Sequence, residues 1–397
     1  MTALDERWNI RPEHFWLRGI RPEQPVDFDE KHAMWNVYGY AEASEILGDP
    51  ATYTSDTAHL FPVDIDPALS EGDVTHLDPP EHTKLRALIS SAFTPKVVGD
   101  LEPRIREITE ELLDEVGGAD RFDFVEALAF PLPVIVIAEL LGLPRSDRDM
   151  LKQLTYQITE NKSPFDLIDN SEVGGGNLRT LDDQMRQLHG YLHEHASERR
   201  RAPREDLLTR LVQAEVDGRR LTDGEVANFG TIVMFAGHIT TTMLLGSTVL
   251  CLDAYPEHAA RVRADRTLVP STIEESLRFL SPFPATSRAT TTEVNIGGQL
   301  VPADQMLVVW LAAANRDGLQ FADADVFDPT RDPNPHIAFS RGNHYCVGAP
   351  LARLEGRVAL NVLLDRYSGM HTDPDSPPVF FPSMDLAGAR SLPLRVA

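Results

Sequence analysis

The most informative stretch of this chain is Phe339-Ser340-Arg341-Gly342-Asn343-His344-Tyr345-Cys346-Val347-Gly348. Its cysteine lies in a polar segment flanked by glycines, which let backbone N–H groups point at one sulfur atom. Those N–H groups, the helix that follows Pro350, and the neighbouring Arg341 or His344 all favour a thiolate at Cys346. From the residues alone, a thiolate here is a nucleophile, a redox sensor or a metal ligand, and an inert buried cysteine stays open as a fourth interpretation.

Composition places the chain among acidic globular proteins. It has 397 residues, of which 42% are hydrophobic and 25% charged, and these fractions exclude disorder and coiled coil for most of its length. With 61 Asp and Glu against 37 Lys and Arg, the net charge is −24, so the surface as a whole repels nucleic acids and anionic membranes. Only two cysteines occur, and the first residues lack the pattern of a secretory signal. We therefore expect a soluble, cytoplasmic protein without disulfide bonds.

Helical patterns dominate, and one of them is long. Residues Asp100 to Val116 repeat apolar side chains at the spacing of an amphipathic helix. A capping box, Thr222 with Glu225, opens another helix that ends near Leu252 and carries no Asp, Glu, Lys or Arg beyond its first turn. Threonines, an asparagine and a histidine interrupt its apolar run, so we interpret it as a core helix and not as a membrane span. A helix of that length crosses a whole domain, which predicts a single domain over residues 1–397.

Strand patterns cluster in the last third of the chain. Thr290 to Ile296 alternates, two glycines turn, and Gln299 to Val301 returns, which predicts a hairpin. Met306 to Ala312 is an apolar run that fits either a strand or a helix. Earlier in the chain, Lys162 to Asn177 contains three consecutive glycines and predicts a connection that is either a lid over a pocket or a plain surface linker. The predicted fold class is mainly α with a minor β part.

The segment quoted first resembles the haem-binding loop of the cytochrome P450 family, in its soluble bacterial form. The residues at the positions of that family's motif are Phe339, Gly342, His344, Cys346 and Gly348. One departure is Ser340, where the family usually has glycine. The resemblance implies the cytochrome P450 fold, a triangular helical body with small β-sheets. It also implies haem b as cofactor, with Phe339 and Gly342 in its loop and Cys346 as the thiolate ligand of the iron.

Other parts of the chain agree with this resemblance. Glu275-Ser276-Leu277-Arg278 is similar to the family's E-x-x-R helix, and Arg331 completes a Glu–Arg–Arg network that is implied to brace the loop behind the haem. Haem propionates are anions and need Arg and His partners. The residues that match the family's propionate partners are His82, Arg86, Arg288 and His344.

On the long helix, Ala236-Gly237-His238-Ile239-Thr240-Thr241 resembles the stretch that activates oxygen above the haem. Ala236 is implied to line the cofactor, and Gly237, without a Cβ, allows a close approach. Thr240 can donate to the Ala236 carbonyl and bend the helix, which opens a notch for dioxygen and water. With Gly237 and Thr241, it completes the predicted catalytic set.

Ile239 departs from the family, which usually carries Asp or Glu at this position. Isoleucine cannot relay the protons that cleavage of the O–O bond requires. We hypothesise that ordered water, Thr241 or a polar group of the substrate replaces the missing acid.

The resemblance implies a haem-thiolate monooxygenase that hydroxylates or epoxidises an apolar small molecule, in secondary metabolism. Electrons would come from NAD(P)H through ferredoxin reductase and a ferredoxin, which docks near Cys346 on basic residues such as Arg341 and Arg353. Because of Ile239, peroxide-driven, ring-forming or rearranging chemistry on the same scaffold stays open, as does a haem carrier or sensor. The segments implied to face the substrate are Leu60 to Thr75, Lys162 to Asn177, Ile232 to Ala236, Pro282 to Thr286 and Phe381 to Leu386. No nucleic acid or membrane partner is expected.

Overall fold

The computed structural model describes residues 7–8, 10, 12, 14–60, 71–159, 174–381, 383–384 and 386–397. Helices account for most of the regular structure, and short strands for the remainder, so the predicted mainly helical class is confirmed. The α-helices are α1 (Tyr40–Gly48), α2 (Glu81–Ala92), α3 (Pro95–Gly99), α4 (Glu102–Val116), α5 (Pro131–Leu141), α6 (Arg148–Thr159), α7 (Gly174–Arg201), α8 (Leu207–Gln213), α9 (Asp223–Ala254), α10 (Pro256–Ala264), α11 (Val269–Phe279), α12 (Leu311–Ala314) and α13 (Ala349–Arg366).

The strands form one larger sheet and several small ones. They are β1 (Val26–Asp29), β2 (Met34–Val37), β3 (Tyr53–Thr54), β4 (Arg121–Asp123), β5 (Glu215–Val216), β6 (Arg219–Arg220), β7 (Thr286–Thr290), β8 (Val294–Ile296), β9 (Gln299–Val301), β10 (Met306–Val309), β11 (Met370–Thr372), β12 (Val379–Phe380), β13 (Ala389–Ser391) and β14 (Pro393–Val396). The five-stranded sheet has the order β1-β2-β10-β7-β3, and β2 and β10 pair in parallel. A three-stranded sheet, β11-β14-β4, pairs the last strand of the chain with β4, which lies between α4 and α5 in the sequence.

Helix α9 is the centre of the helical body. Its 32 residues span about 48 Å at 1.5 Å per residue, and it packs against α5, α7, α11 and α13. The predicted capping box is present: Glu225 N–H donates to Thr222 Oγ1 at 3.0 Å, and Thr222 N–H donates to Glu225 Oε2 at 2.9 Å. Within the described residues, α9 alone is long and apolar enough to cross a membrane, and 67% of its most apolar window is buried in the protein. This burial supports its interpretation as a core helix.

Most local predictions agree with the structure. The amphipathic pattern from Asp100 becomes α4, and the two-glycine turn joins β8 to β9, with φ of 57° at Gly297 and 84° at Gly298. The ambiguous run from Met306 is a strand followed by a short helix. Residues 174–177 of the predicted loop belong to α7, whereas residues 162–173 lie outside the described part of the chain.

The Glu–Arg–Arg network is confirmed, and it lies inside the protein. Arg278 donates from Nε and Nη2 to the two carboxylate oxygens of Glu275 at 2.8 and 2.7 Å, and both side chains are fully buried. Arg331 Nε lies 3.3 Å from the same carboxylate, and Asn334 Nδ2 donates to it at 3.1 Å. Arg278 also donates to three backbone carbonyls, those of Asn315, Ala324 and Val326. The network therefore ties α11 to the segment that leads into the loop of Cys346.

Candidate functional site

The loop around Cys346 is a tight turn that presents one sulfur atom. The Cys346 N–H donates to the Phe339 carbonyl at 2.9 Å, which closes the loop, and α13 begins three residues later. Gly342 has a φ of 69°, and a Cβ there would lie 2.3 Å from the Leu47 carbonyl oxygen, so only glycine fits. Ser340 adopts a left-handed φ of 60° in the position where the family usually has glycine, and its buried hydroxyl has no partner among the described residues.

The electrostatics of Cys346 combine two opposing effects. Partial burial raises the pKa of its thiol, whereas N–H groups of Gly348 and Ala349 and the charge of Arg86 lower it, and burial is the larger effect. A Cβ on Gly348 would lie 3.8 Å from the sulfur, so this glycine keeps the backbone close to it. The N–H dipoles that were predicted to stabilise the thiolate are present, but they lower the pKa of Cys346 by less than burial raises it. A bound metal ion would favour the thiolate decisively.

The four predicted propionate partners lie together. The imidazole rings of His82 and His344 are 4.3 Å apart, and Arg86 Nη2 donates to the Tyr345 carbonyl at 2.5 Å, next to Cys346. Burial, followed by the nearby charges of Arg288 and His82, lowers the pKa of His344 to about 3. Burial also lowers the pKa of Arg288 to about 10 and that of His82 below its usual range.

This cluster is short of negative charge. The nearest carboxylate is Asp78, which already accepts hydrogen bonds from Thr54 Oγ1 and from the Ser55 N–H. Both ring nitrogens of buried His82 have no hydrogen-bond partner among the described residues. The two carboxylates of a haem would supply the missing acceptors and charge, so the residues fit this cofactor. The described residues hold no group of three His, Cys, Asp or Glu side chains that suits a metal ion.

The predicted oxygen-activating stretch is more exposed to solvent than the C-terminal half of α9. Ala236 is exposed, and Phe235, Gly237 and Thr240 are half-buried, whereas residues 241–253 of this helix are all buried. Thr240 Oγ1 donates to the Ala236 carbonyl at 2.7 Å, as predicted. A Cβ on Gly237 would meet Ile137 of α5 at 3.0 Å, so this glycine permits close helix packing as well. Thr241 is buried, and its hydroxyl donates to the Gly237 carbonyl at 2.7 Å, which commits it to the helix.

No hydrogen bond in the described part of the chain joins these α9 residues to the loop of Cys346.

Ile239 belongs to a small apolar cluster with Met243, Phe381 and Leu386, and Phe283 packs against it. Two of the predicted substrate-facing segments, those around Phe283 and Phe381, therefore meet at the position where the family has an acid. Residues 61–70, 162–173, 382 and 385 of the predicted substrate-facing segments lie outside the described residues.

His238 of α9 has no role that follows from the sequence pattern. Its ring is fully buried, stands edge-on to Phe130 with centroids 4.6 Å apart, and has no hydrogen-bond partner for either nitrogen among the described residues. Burial lowers its pKa to about 3. A histidine inside an uncharged stretch was the only sequence signal for this feature.

The two residues predicted to receive a ferredoxin differ in their surroundings. Arg341 is exposed. Arg353 instead donates twice to the Glu274 carboxylate at 2.8 Å and once to the Tyr345 hydroxyl at 2.9 Å. Much of the charge of Arg353 is therefore neutralised within the chain.

Comparisons with known proteins agree with this geometry. A family model described as Cytochrome P450 matches residues 28–393. The chain is 41% identical to cyclomarin C epoxidase CymV of Salinispora arenicola over 96% of this chain and 95% of that protein. It is 39% identical to the erythromycin C-12 hydroxylase of Saccharopolyspora erythraea over 99% and 98% of the two chains.

Solved structures give the same result. HmtT, described as involved in himastatin biosynthesis, is 57% identical, with a TM-score of 0.91 over 99% of this chain and 100% of that one. HmtN, described as a post-tailoring hydroxylase in the same biosynthesis, is 54% identical, with a TM-score of 0.88 over the whole of both chains. Together with the loop of Cys346, the cationic cluster and the hydrogen bond from Thr240 to Ala236, these matches show that the chain belongs to the cytochrome P450 family.

Proposed function

We propose that this monooxygenase tailors a preassembled secondary metabolite, inserting one oxygen atom of dioxygen into an apolar part of it by hydroxylation or epoxidation. Of the relatives named above, one is an epoxidase and two are hydroxylases, and HmtN and HmtT are both described in himastatin biosynthesis. These names support oxygen insertion over peroxide-driven or ring-forming chemistry. The observation that carries the proposal is the pairing of a glycine-lined thiol loop with a buried cationic cluster that has no carboxylate to spare.

Each residue of the site has a proposed role. Cys346 holds the haem iron, and the N–H groups of Gly348 and Ala349 keep negative charge on its sulfur. His82, Arg86, Arg288 and His344 bind the propionates, which orients the cofactor in its plane. When bound, the haem supplies the activation of dioxygen and the insertion of one oxygen atom into the substrate.

Helix α9 supplies the opposite face of the site. The Thr240 hydroxyl donates to the Ala236 carbonyl, and it would hold a proton at Oγ1 on this side of the site when the haem is bound. Ala236 and Gly237 leave room for small molecules there because they have little or no side chain. Ile239, Phe283 and Phe381 exclude water from the adjoining wall, which favours an apolar substrate.

We further propose that the enzyme is cytoplasmic and takes two electrons from NAD(P)H through a ferredoxin reductase and a ferredoxin. The net charge of −24 opposes binding to nucleic acid or anionic lipid.

The test uses the purified protein and a matched pair of cysteine variants. We expect the dithionite-reduced wild type to give the red-shifted carbon monoxide band of thiolate-ligated haem. Cys346→Ala should abolish this band, and Cys251→Ala, which changes the buried cysteine of α9, should keep it. A Soret-shift screen of secondary metabolites then identifies the substrate class, and product analysis with labelled dioxygen identifies the reaction. Normal pigment and turnover in Cys346→Ala would refute the proposal.

A further inference from the structure

The turn between β12 and β13 forms part of the wall beside Ile239. The Phe381 N–H donates to the Gly388 carbonyl at 3.0 Å, which closes the turn. Phe381 and Leu386 are buried in one cluster with Ile239 and Met243 of α9, and a Cβ on Gly388 would lie 2.5 Å from Met243 Cγ. The turn therefore lies directly on α9. We call it the wall turn, and its described residues are Phe381, Ser383, Met384, Leu386, Ala387 and Gly388.

A histidine from the N-terminal part of the chain contacts the middle of the wall turn. His14 is fully buried, and its Nε2 lies 3.0 Å from the carbonyl oxygen of Ser383, although the two residues are 369 positions apart. A carbonyl oxygen can only accept a hydrogen bond, so Nε2 carries the proton and His14 is the donor. The next residue of the turn, Met384, packs against the main core. The middle of the wall turn is thus held from the side of His14.

Aromatic packing holds His14 in place. It precedes a single 3₁₀ turn, Phe15–Arg18, and its ring centroid lies 5.2 Å from that of Trp16. The Trp16 ring lies 5.6 Å from Trp310, whose Nε1 donates to Asn36 Oδ1 of β2 at 2.8 Å. Large aromatic side chains packed in this way have little freedom to move. The position of His14 is therefore fixed relative to the five-stranded sheet.

A second contact ties the wall turn to another segment that is implied to face the substrate. The Ala387 N–H donates to the Pro282 carbonyl at 3.0 Å. This contact uses backbone atoms on both sides and does not depend on the side chain at position 387. The contact of His14 with Ser383 depends on a side chain, so one substitution can remove it while the rest of the turn keeps its backbone contacts.

We propose that His14 is a positioning residue for the substrate: its hydrogen bond to the Ser383 carbonyl holds the wall turn against α9 in the position that binds the substrate. A wall that is already ordered binds a ligand more tightly, because the cost of ordering it is not paid on binding. This inference rests on the proposed function, because it assumes that the wall beside Ile239 faces the substrate.

The experiment uses the haem-loaded, full-length enzyme and variants of one size class. His14→Phe keeps an aromatic ring but cannot donate, whereas His14→Gln keeps an N–H donor on a side chain of similar reach. The matched control is His258→Phe, which makes the same change at a half-buried histidine of α10, close to the rings of Tyr255 and Phe327.

The probes are imidazole itself and a graded series of N-benzyl and N-trityl imidazoles. A neutral imidazole nitrogen ligates iron, and the shift of the Soret band measures its binding. Imidazole occupies only the space next to the iron, whereas the larger members also fill the pocket as far as its walls. The comparison uses the largest member of the series that the wild type binds.

We expect His14→Phe to bind this largest imidazole at least about fivefold more weakly than the wild type, as the loss of one buried hydrogen bond implies, and to bind imidazole itself equally well. His14→Gln should recover most of the affinity, and His258→Phe should match the wild type. A general loss of stability would weaken the binding of imidazole and of its large derivatives alike, so the difference between the two probes isolates the wall turn. If His14→Phe does not retain haem, His14→Asn takes its place, because its shorter side chain keeps the fold polar but does not reach Ser383.

Two results would overturn the role of His14. One is equal or tighter binding of the largest imidazole by the variant without the hydrogen bond, and the other is an equal weakening for imidazole itself. A wild type whose Soret band responds to no member of the series would instead refute the proposed function, because no ligand would then reach the iron.

Discussion

At the scale of single residues, Ile239 shows how a departure from a family pattern is accommodated. Its side chain is 1% exposed and packs with Met243 and Phe381, so an acid at this position would be placed in an apolar cluster. A carboxyl group there would lose its hydration, and its pKa would rise. We therefore expect the proton route of this enzyme to depend on water or on the substrate more than on position 239.

This interpretation predicts the outcome of Ile239→Glu. We expect the variant to form no more product per NAD(P)H oxidised than the wild type, because the new carboxyl is desolvated and disturbs the wall of the pocket. Coupling is measured with the true substrate and the complete electron-transfer chain. Ile239→Leu, which keeps the apolar volume, should couple as the wild type does. A poorly coupled wild type that Ile239→Glu improves would show that the hypothesis is wrong.

His238 gives a prediction for the dependence of stability on pH. Its pKa is about 3 in the folded protein because of burial and about 6.5 in an unfolded chain. Between these values the unfolded state binds one more proton, so the free energy of unfolding decreases as pH falls below 6.5. Replacing His238 with Leu should make this decrease shallower by about 1.4 kcal/mol per pH unit near pH 5.

Urea unfolding between pH 7 and pH 4 measures this slope. His193→Leu is the matched control, since His193 is exposed on α7 and its loss should leave the slope unchanged. Parallel curves for the wild type and His238→Leu would mean that His238 finds a proton-stabilising partner in the folded state.

At the scale of elements, two adjacent glutamates of α11 have different tasks. Glu275 is fully buried and neutralises Arg278 and Arg331, whereas Glu274 is half-buried and pairs with Arg353 and His336. Removing one partner of a buried ion pair leaves a charge without compensation, while a surface pair contributes little.

We therefore expect Glu275→Gln to lower the free energy of unfolding by about 3–5 kcal/mol and Glu274→Gln by about 1 kcal/mol or less. Urea unfolding of the holoenzymes, followed by far-UV circular dichroism, measures both. The haem of Glu275→Gln should also dissociate faster, because the network braces the segment that leads to Cys346. Equal midpoints for the two variants would contradict the bracing role.

Local sequence patterns predicted helices and turns well, but they did not predict which charged residues pair around the site. The capping box at Thr222 and the turn at Gly297 depend on neighbours a few residues away, and both were correct. The pairing of Arg353 with Glu274 joins residues 79 positions apart, and the contact of Ser55 with His344 joins residues 289 apart. Such contacts have no local signature. The resemblance predicted which residues bind the propionates. Only the structure shows that few carboxylates lie near those residues.

At the scale of the whole molecule, the net charge of the chain and the charge of the interior site have opposite signs. The chain carries 61 acidic residues, yet the cluster around Arg288 lacks enough nearby carboxylates to balance it. This cluster fits the propionates of a haem inside the protein. Because the acidic surface as a whole repels anions, we expect the specific contacts of this cluster to hold the propionates.

The single domain expected from the length of α9 remains a prediction, and the tryptophans allow a test. Trp16 and Trp310 lie 5.6 Å apart, and Trp35 belongs to β2, so these residues report on the sheet side, whereas far-UV circular dichroism reports mainly on the helices. The main core cluster joins Trp16 and Trp310 to α9 residues such as Val249. Because this core is continuous, we expect fluorescence and circular dichroism to give coincident urea transitions. Separate midpoints for the two probes would show that the sheet region unfolds as an independent unit.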